Sequence, residues 1–401
     1  MRIILQTAVV GLLLILAGCA EQDNPVGDGE GSSTRAWEKV LATAGDDHGY
    51  SVAVTDDGGY VVVGCTEPYG NSNTDVYLIR TNSFGDTLWT ETYDAGESEA
   101  GYSVAVTSDG GFVIAGYTQS IGSAEADVYL IRTNAVGDTL WTRTYGGSGN
   151  DFGRGVRVTS DGGALIIGTT TSYGAGGVDV YLIRTNNGGD TVWTRTFGGD
   201  QSDYGESLAL AGDGGYVVAG HTNSYGAGDI DVYVIKTDAA GDTVWTRTYG
   251  GGSWDYGHAI AATSDSGFVI VGRTESFGNG PDVYVVKIDA AGDTLWTRTY
   301  GGTSIDRGYA VAATNDGGCC VAGFTMSTPT GFADAYIIKI NASGTTVWTR
   351  TVGGDLGETA QSVAPTGDGG CIVAGYTDSF GAGLSDVYLV KLDAGGNLPI
   401  E

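Results

Sequence analysis

Residues 127–147 read DVYLIRTNAVGDTLWTRTYGG, and close variants of this string recur along the chain. The run opens on alternating, β-branched residues, breaks at an Asn-x-x-Gly-Asp turn, and resumes as a Trp-centred strand, so it reads as a hairpin. Its opening DVY or DAY stands at Asp75, Asp127, Asp179, Asp231, Asp282, Asp334 and Asp386. Its tryptophan recurs as Trp37, Trp89, Trp141, Trp193, Trp245, Trp296 and Trp348, at intervals of 52, 52, 52, 52, 51 and 52 residues; only Trp254 stands outside the series.

A period near fifty residues is the mark of a propeller or solenoid. Four strand-like runs fit one period: GRGVRVT, ALIIGTT, DVYLIRT and TVWTRTF within residues 153–197. No part of the repeat offers helical periodicity over ten residues. The expectation is therefore an all-β, seven-bladed β-propeller with four antiparallel strands per blade. Residues 36–42 (AWEKVLA) form an outer strand with no preceding partner, and DVYLVKLD is followed only by AGGNLPIE. The N-terminal strand is thus expected to complete the C-terminal blade, which removes two open edges at once.

Composition agrees with a periodic β fold. Glycine is 70 of 401 residues, a share that signals low complexity when aperiodic. Here it punctuates strands at fixed offsets beside Asp, Asn and Ser. Before the repeats, Arg2 precedes an apolar run over residues 3–17, too short for the roughly 20 residues of a spanning helix. The run reads as a signal peptide, residues 1–18. It ends in Leu16-Ala17-Gly18-Cys19, which resembles the bacterial lipoprotein signal box. That resemblance implies cleavage before Cys19, acylation of Cys19 and, with Ala20 following, sorting to the outer membrane or cell surface. Residues 19–35 are polar and Gly/Ser-rich, a flexible tether, and residues 36–401 are the propeller.

The turn pattern Asp-x-x-Gly-x-x-x-Trp, as in DAAGDTLW, resembles the blade motif of quinoprotein-like propellers and, faintly, the Asp-box of sialidases. Over residues 36–401 the chain is most similar to repeat proteins of bacterial cell surfaces. The likeness implies the fold and leaves function open, because propellers host many activities.

Strand alternation divides the loops between two faces. The first-to-second and third-to-fourth turns are tight and nearly constant, whereas the fourth-to-first and second-to-third loops vary from blade to blade. Variable loops on a rigid scaffold mark the expected binding face. An acid recurs just before the first strand: Asp47, Glu99, Asp151, Asp203, Asp255, Asp306 and Glu358. These are candidate ligands for a divalent cation, with Ca2+ the only cofactor in view; the competing reading makes each an acceptor for backbone amides in its own turn.

Broken symmetry is the better guide to a ligand. Directly after the acid stand His48, Ala100, Phe152, Tyr204, Tyr256, Arg307 and Thr359; two further on stand Tyr50, Tyr102, Arg154, Glu206, His258, Tyr309 and Gln361. Arg154, Arg157, Arg273 and Arg307 are the basic blade residues outside two repeating scaffold columns. From these columns, with Arg157 added, the candidate binding residues are His48, Tyr50, Tyr102, Phe152, Arg154, Arg157, Tyr204, Glu206, Tyr256, His258, Arg307 and Tyr309. Arginines with aromatics around a mouth suit an anionic or sugar-like ligand, or a protein surface. Tyr69, Tyr173, Tyr225, Phe277 and Phe380, in the second-to-third loops, are expected to tuck under the loop as plugs between blades, the alternative being an exposed sugar-stacking or partner surface.

Cys319, Cys320 and Cys371 fall in strand positions and read as buried small hydrophobes. His48, His221 and His258 lack metal-ligand spacing. The net charge is −29, or −30 once Arg2 leaves with the signal peptide, and no basic stripe suits nucleic acid. The expectation is a monomeric, non-enzymatic, lipid-anchored envelope propeller that binds a protein or glycan, with no nucleic acid partner. The alternative is an extracytoplasmic enzyme, quinoprotein-like or carbohydrate-active, with its site at the channel mouth.

Overall fold

The computed structural model describes residues 36–67, 73–122 and 125–398, so Cys19, the leader, the tether and Tyr69 lie outside the described residues. Among the described residues there are 28 strands and no helix. They form seven four-stranded antiparallel sheets. In blades one to six each sheet is consecutive in the chain, as in Asp46–Val54, Tyr60–Glu67, Asp75–Thr81 and Thr87–Tyr93. The seventh sheet takes its inner three strands from Glu358–Leu392 and its outer strand from Trp37–Leu41, with Trp37 opposite Lys391 and Leu41 opposite Val387. The ring closes as the repeat count requires.

Burial follows the taper of a blade. Second and third strands are almost wholly buried on both faces, whereas outer strands alternate between exposed and half-buried residues. Apolar clusters sit between neighbouring sheets, for example Val217, Val232 and Val234 of blade four against Ile260, Ile270 and Tyr284 of blade five. The hairpin that opened the sequence analysis supplies the outer stitching. Gly85 adopts φ 80° in the third-to-fourth turn, and a Cβ there would sit 2.5 Å from the Trp37 ring of the preceding blade. The same glycine–tryptophan packing recurs at Gly137 with Trp89, Gly189 with Trp141, Gly241 with Trp193 and Gly292 with Trp245. Glycine is required there twice over, for the left-handed turn and for the close approach.

The repeating cations are structural. Each third-strand cation, from Arg80 to Lys391, pairs with the aspartate of its own first-to-second turn, at 2.5–2.9 Å. Fourth-strand arginines lie over their own tryptophans, as Arg143 does over Trp141. Both basic columns are consumed by the scaffold.

Candidate functional site

Each inner strand carries a β-bulge at the same place, after Gly49, Gly101, Gly153, Gly205, Gly257, Gly308 or Ala360. The bulged residue has no cross-strand partner, and a bulge re-aims its side chain. The seven bulged residues are the symmetry-breaking column Tyr50, Tyr102, Arg154, Glu206, His258, Tyr309 and Gln361, and all seven line an axial cavity of about 1040 Å³.

Farther along the channel the inner strands present Ala53, Ala105, Arg157, Ala209, Ala261, Ala312 and Ala364. Six alanines and one arginine make Arg157 the sharpest departure from symmetry in the channel wall. It is exposed to the lumen, and its Nη1 donates to the Val156 carbonyl at 2.9 Å.

Around the mouth runs a belt of ring contacts. His48 meets the edge of Tyr376 at 4.6 Å and stacks on Tyr50 at 6.0 Å; Tyr50 touches Tyr102 at 5.4 Å. Tyr102 and Tyr117 continue it to Phe152, and the Arg154 guanidinium lies 4.6 Å from the Tyr102 centroid. On the far side Tyr204, His221, Tyr256, His258, Tyr309 and Phe324 follow one another at 4.5–6.2 Å. Arg273 covers Tyr256 at 4.1 Å, and Arg307 covers Phe324 at 5.6 Å.

Tyr117, His221, Arg273, Phe324 and Tyr376 of this belt were not among the candidate binding residues drawn from the sequence. Cys65, Tyr117, Thr169, His221, Arg273, Phe324 and Tyr376 stand directly opposite His48, Ala100, Phe152, Tyr204, Tyr256, Arg307 and Thr359 across the first strand pair. Their variability was visible; their register with the mouth was not. Burial holds His221 near pKa 4 and His258 near 3, the Arg273 charge adding to the effect in both cases, so both imidazoles are neutral at pH 7. Glu206 is pushed up by burial, and the nearby Arg154 draws it back down.

The recurring acids lie elsewhere than a ring around the lumen. All seven are fully buried at blade junctions. Each accepts an amide from four residues before it, such as Gly147 N to Asp151 Oδ2 at 2.8 Å and Gly354 N to Glu358 Oε2 at 2.8 Å. Most also accept a serine hydroxyl from the second-to-third loop, such as Ser172 to Asp151 at 2.6 Å. The amide-acceptor reading describes these contacts. At five junctions the acid faces the DVY aspartate of the preceding blade across a glycine, and a Cβ on Gly146 would strike both Asp127 and Asp151. At one junction Asp94 replaces that glycine, bringing Asp75, Asp94 and Glu99 oxygens within 4.8 Å of one another. Burial, with the repulsion of Asp94 and Glu99, pushes Asp75 up to about 6.

The loop aromatics do not tuck away. Tyr173, Tyr225, Phe277 and Phe380 stay 42–46% exposed, each with one face against the third-strand tyrosine of its own blade. The Tyr173 hydroxyl donates to the Gly146 carbonyl at 2.5 Å, so the ring bridges two blades while leaving its outer face to solvent. Cys65, Cys319, Cys320 and Cys371 are free and buried, as small core residues.

No family model matches the chain. It is 26% identical over 377 residues to the regulatory protein FlaEY of Caulobacter vibrioides, a match covering 77% of this chain and 39% of that protein. Among solved structures it is similar to the Pan2 WD40 domain of Neurospora crassa, with a TM-score of 0.53, 10% identity, and 92% of this chain and 98% of that one covered. The structural likeness shows a propeller fold.

Proposed function

We propose that the protein is a lipid-anchored binding propeller of the bacterial envelope, which engages a protein or glycan at the channel mouth on its variable-loop face. One observation carries the reading. The four arginines outside the scaffold columns, Arg154, Arg157, Arg273 and Arg307, all belong to the axial channel or its aromatic belt, although they come from three different blades. Departures from a repeat that converge on one place reflect a demand made at that place. The opposite face consists of near-constant turns, and the first-to-second ones pair their aspartates with third-strand cations. The likeness to a regulatory protein supports recognition rather than turnover as the task.

A cell-envelope pulldown and a glycan array with the purified chain test the proposal. Arg307→Ala is expected to weaken capture about tenfold, the scale of one lost charge-assisted contact, while Asn134→Ser on the tight-turn face leaves it unchanged. Equal loss from both variants, or a quinone-dependent turnover by the wild type, would overturn it.

A further inference from the structure

We infer that the axial channel is a receptor for a carboxylate, which enters from the variable-loop mouth and is held between Arg154 and Arg157. The inference rests on the binding-face reading above and names the chemistry of the ligand.

The chain carries −29 overall, and its repeating cations are committed to turn aspartates or tryptophan faces. Among the described residues no carboxylate lies within ion-pairing distance of Arg154 or Arg157. Arg154 is braced by two rings, Tyr102 at 4.6 Å and Phe152 at 5.4 Å, and its buried Nε has no partner. Arg157 spends one Nη on its own strand and presents the remainder of its donor fork to the lumen. Two guanidiniums three residues apart on one strand, one above an alanine-lined wall and one within it, supply more donors than the protein uses.

The rest of the lining sets the valence. Glu206, from the next blade, is the acidic residue of the cavity wall, and His258 is neutral. Two cations against one acid, itself raised by burial, leave an excess of positive charge, which a carboxylate matches. Guanidinium forks bind carboxylates bidentately, and low local dielectric strengthens the contact. Tyr50, Tyr102, Tyr309 and His258 line the same cavity and border the body of the ligand. A cavity of about 1040 Å³ holds a short oligomer rather than a folded domain. Two sources supply such a group: a uronic-acid sugar, or the free C-terminus of a peptide.

Calorimetry with the full chain separates the outcomes. The probes are a trigalacturonate and its carboxyl-reduced neutral counterpart, and a short peptide with a free or amidated C-terminus. Arg157→Ala installs the residue that the other six blades carry, so its melting temperature is expected to match the wild type. One carboxylate probe is expected to bind, its neutral counterpart to bind at least tenfold more weakly, and Arg157→Ala to lose about tenfold or more. Whichever acid binds identifies the source. The inference is overturned if neither acid binds, or if Arg157→Ala binds the acid as well as the wild type does. If an uncharged glycan or protein still binds in an Arg307-dependent manner, the binding-face reading stands without it.

Discussion

His221 and His258 sit where a charge is costly, enclosed by Tyr204, Tyr256 and Tyr309 with Arg273 nearby. Their folded pKa values, about 4 and 3, lie below the unfolded value of 6.5. Between those limits the unfolded chain binds protons that the folded chain refuses, so stability is lost as pH falls below 6.5. By pH 5 the loss is of order 1–2 kcal/mol for each imidazole. Asp75 and Asp179 work in the opposite sense: each is raised to about 6 and gains stability as pH falls through that value. The comparison that isolates the histidines is therefore wild type against a His221→Phe/His258→Tyr variant, whose residues other blades already hold at these positions. Thermal melts at pH 7 and 5 are expected to show a larger drop for the wild type; equal drops would remove the imidazoles from the account. At this scale the bulged column was legible in the chain, because it breaks a strong repeat. The amide-acceptor role of the acids was one of the two readings the chain offered, and the contacts match it; the direction in which each acid points was not legible. A one-residue bulge changes the parity of the strand, so position in the chain does not say whether Asp151 looks toward the axis or into a junction.

The inner strands are tied to one another by a set of links that the repeat only half provides. Ser51 accepts the Val104 amide of the next blade at 3.3 Å, Ser103 that of Val156 at 3.1 Å, Ser207 that of Ile260 at 3.3 Å, and Ser362 that of Val52 at 3.1 Å. Gly155, Ala259 and Ala310 occupy the same position in blades three, five and six and have no hydroxyl to offer. Ala259→Ser is expected to accept the Val311 amide and to stabilise the protein by about 0.5–1.5 kcal/mol. The measurement is a higher urea midpoint at unchanged slope. A neutral or destabilising result would mean that the serines follow the repeat without contributing to ring cohesion. The loop aromatics teach a related lesson. Their sequence setting favoured plugs between blades, yet Tyr173, Tyr225, Phe277 and Phe380 stay 42–46% exposed, and Tyr173 reaches the neighbouring blade through its hydroxyl on the Gly146 carbonyl.

For the whole molecule, closure is the decisive element. Five residue pairs, Trp37 with Lys391 through Leu41 with Val387, join the two ends of the described ring. Val40 and Leu41 also pack into the clusters on either side of blade seven. Deleting residues 36–42 is expected to cost about 3 kcal/mol or more and to bare the edge of Asp386–Leu392, a template for aggregation. Thermal melting with light scattering reads both effects; an unchanged melt without aggregation would show that closure contributes little.

Period, strand count, blade number and the pairing of the ends were written in the chain, because seven repeats of one hairpin admit few ways to bury their apolar faces. The tryptophan and glycine columns meet the same neighbour in every blade. Which departures from the repeat meet one another was left to the tertiary structure. Arg154, Arg157, Tyr256, Arg273 and Arg307 are spread over more than 150 positions, and only curling the sheets about one axis, with a bulge in each inner strand, gathers them at one mouth. Repetition specifies local contacts; convergence at an axis is a property of the closed ring.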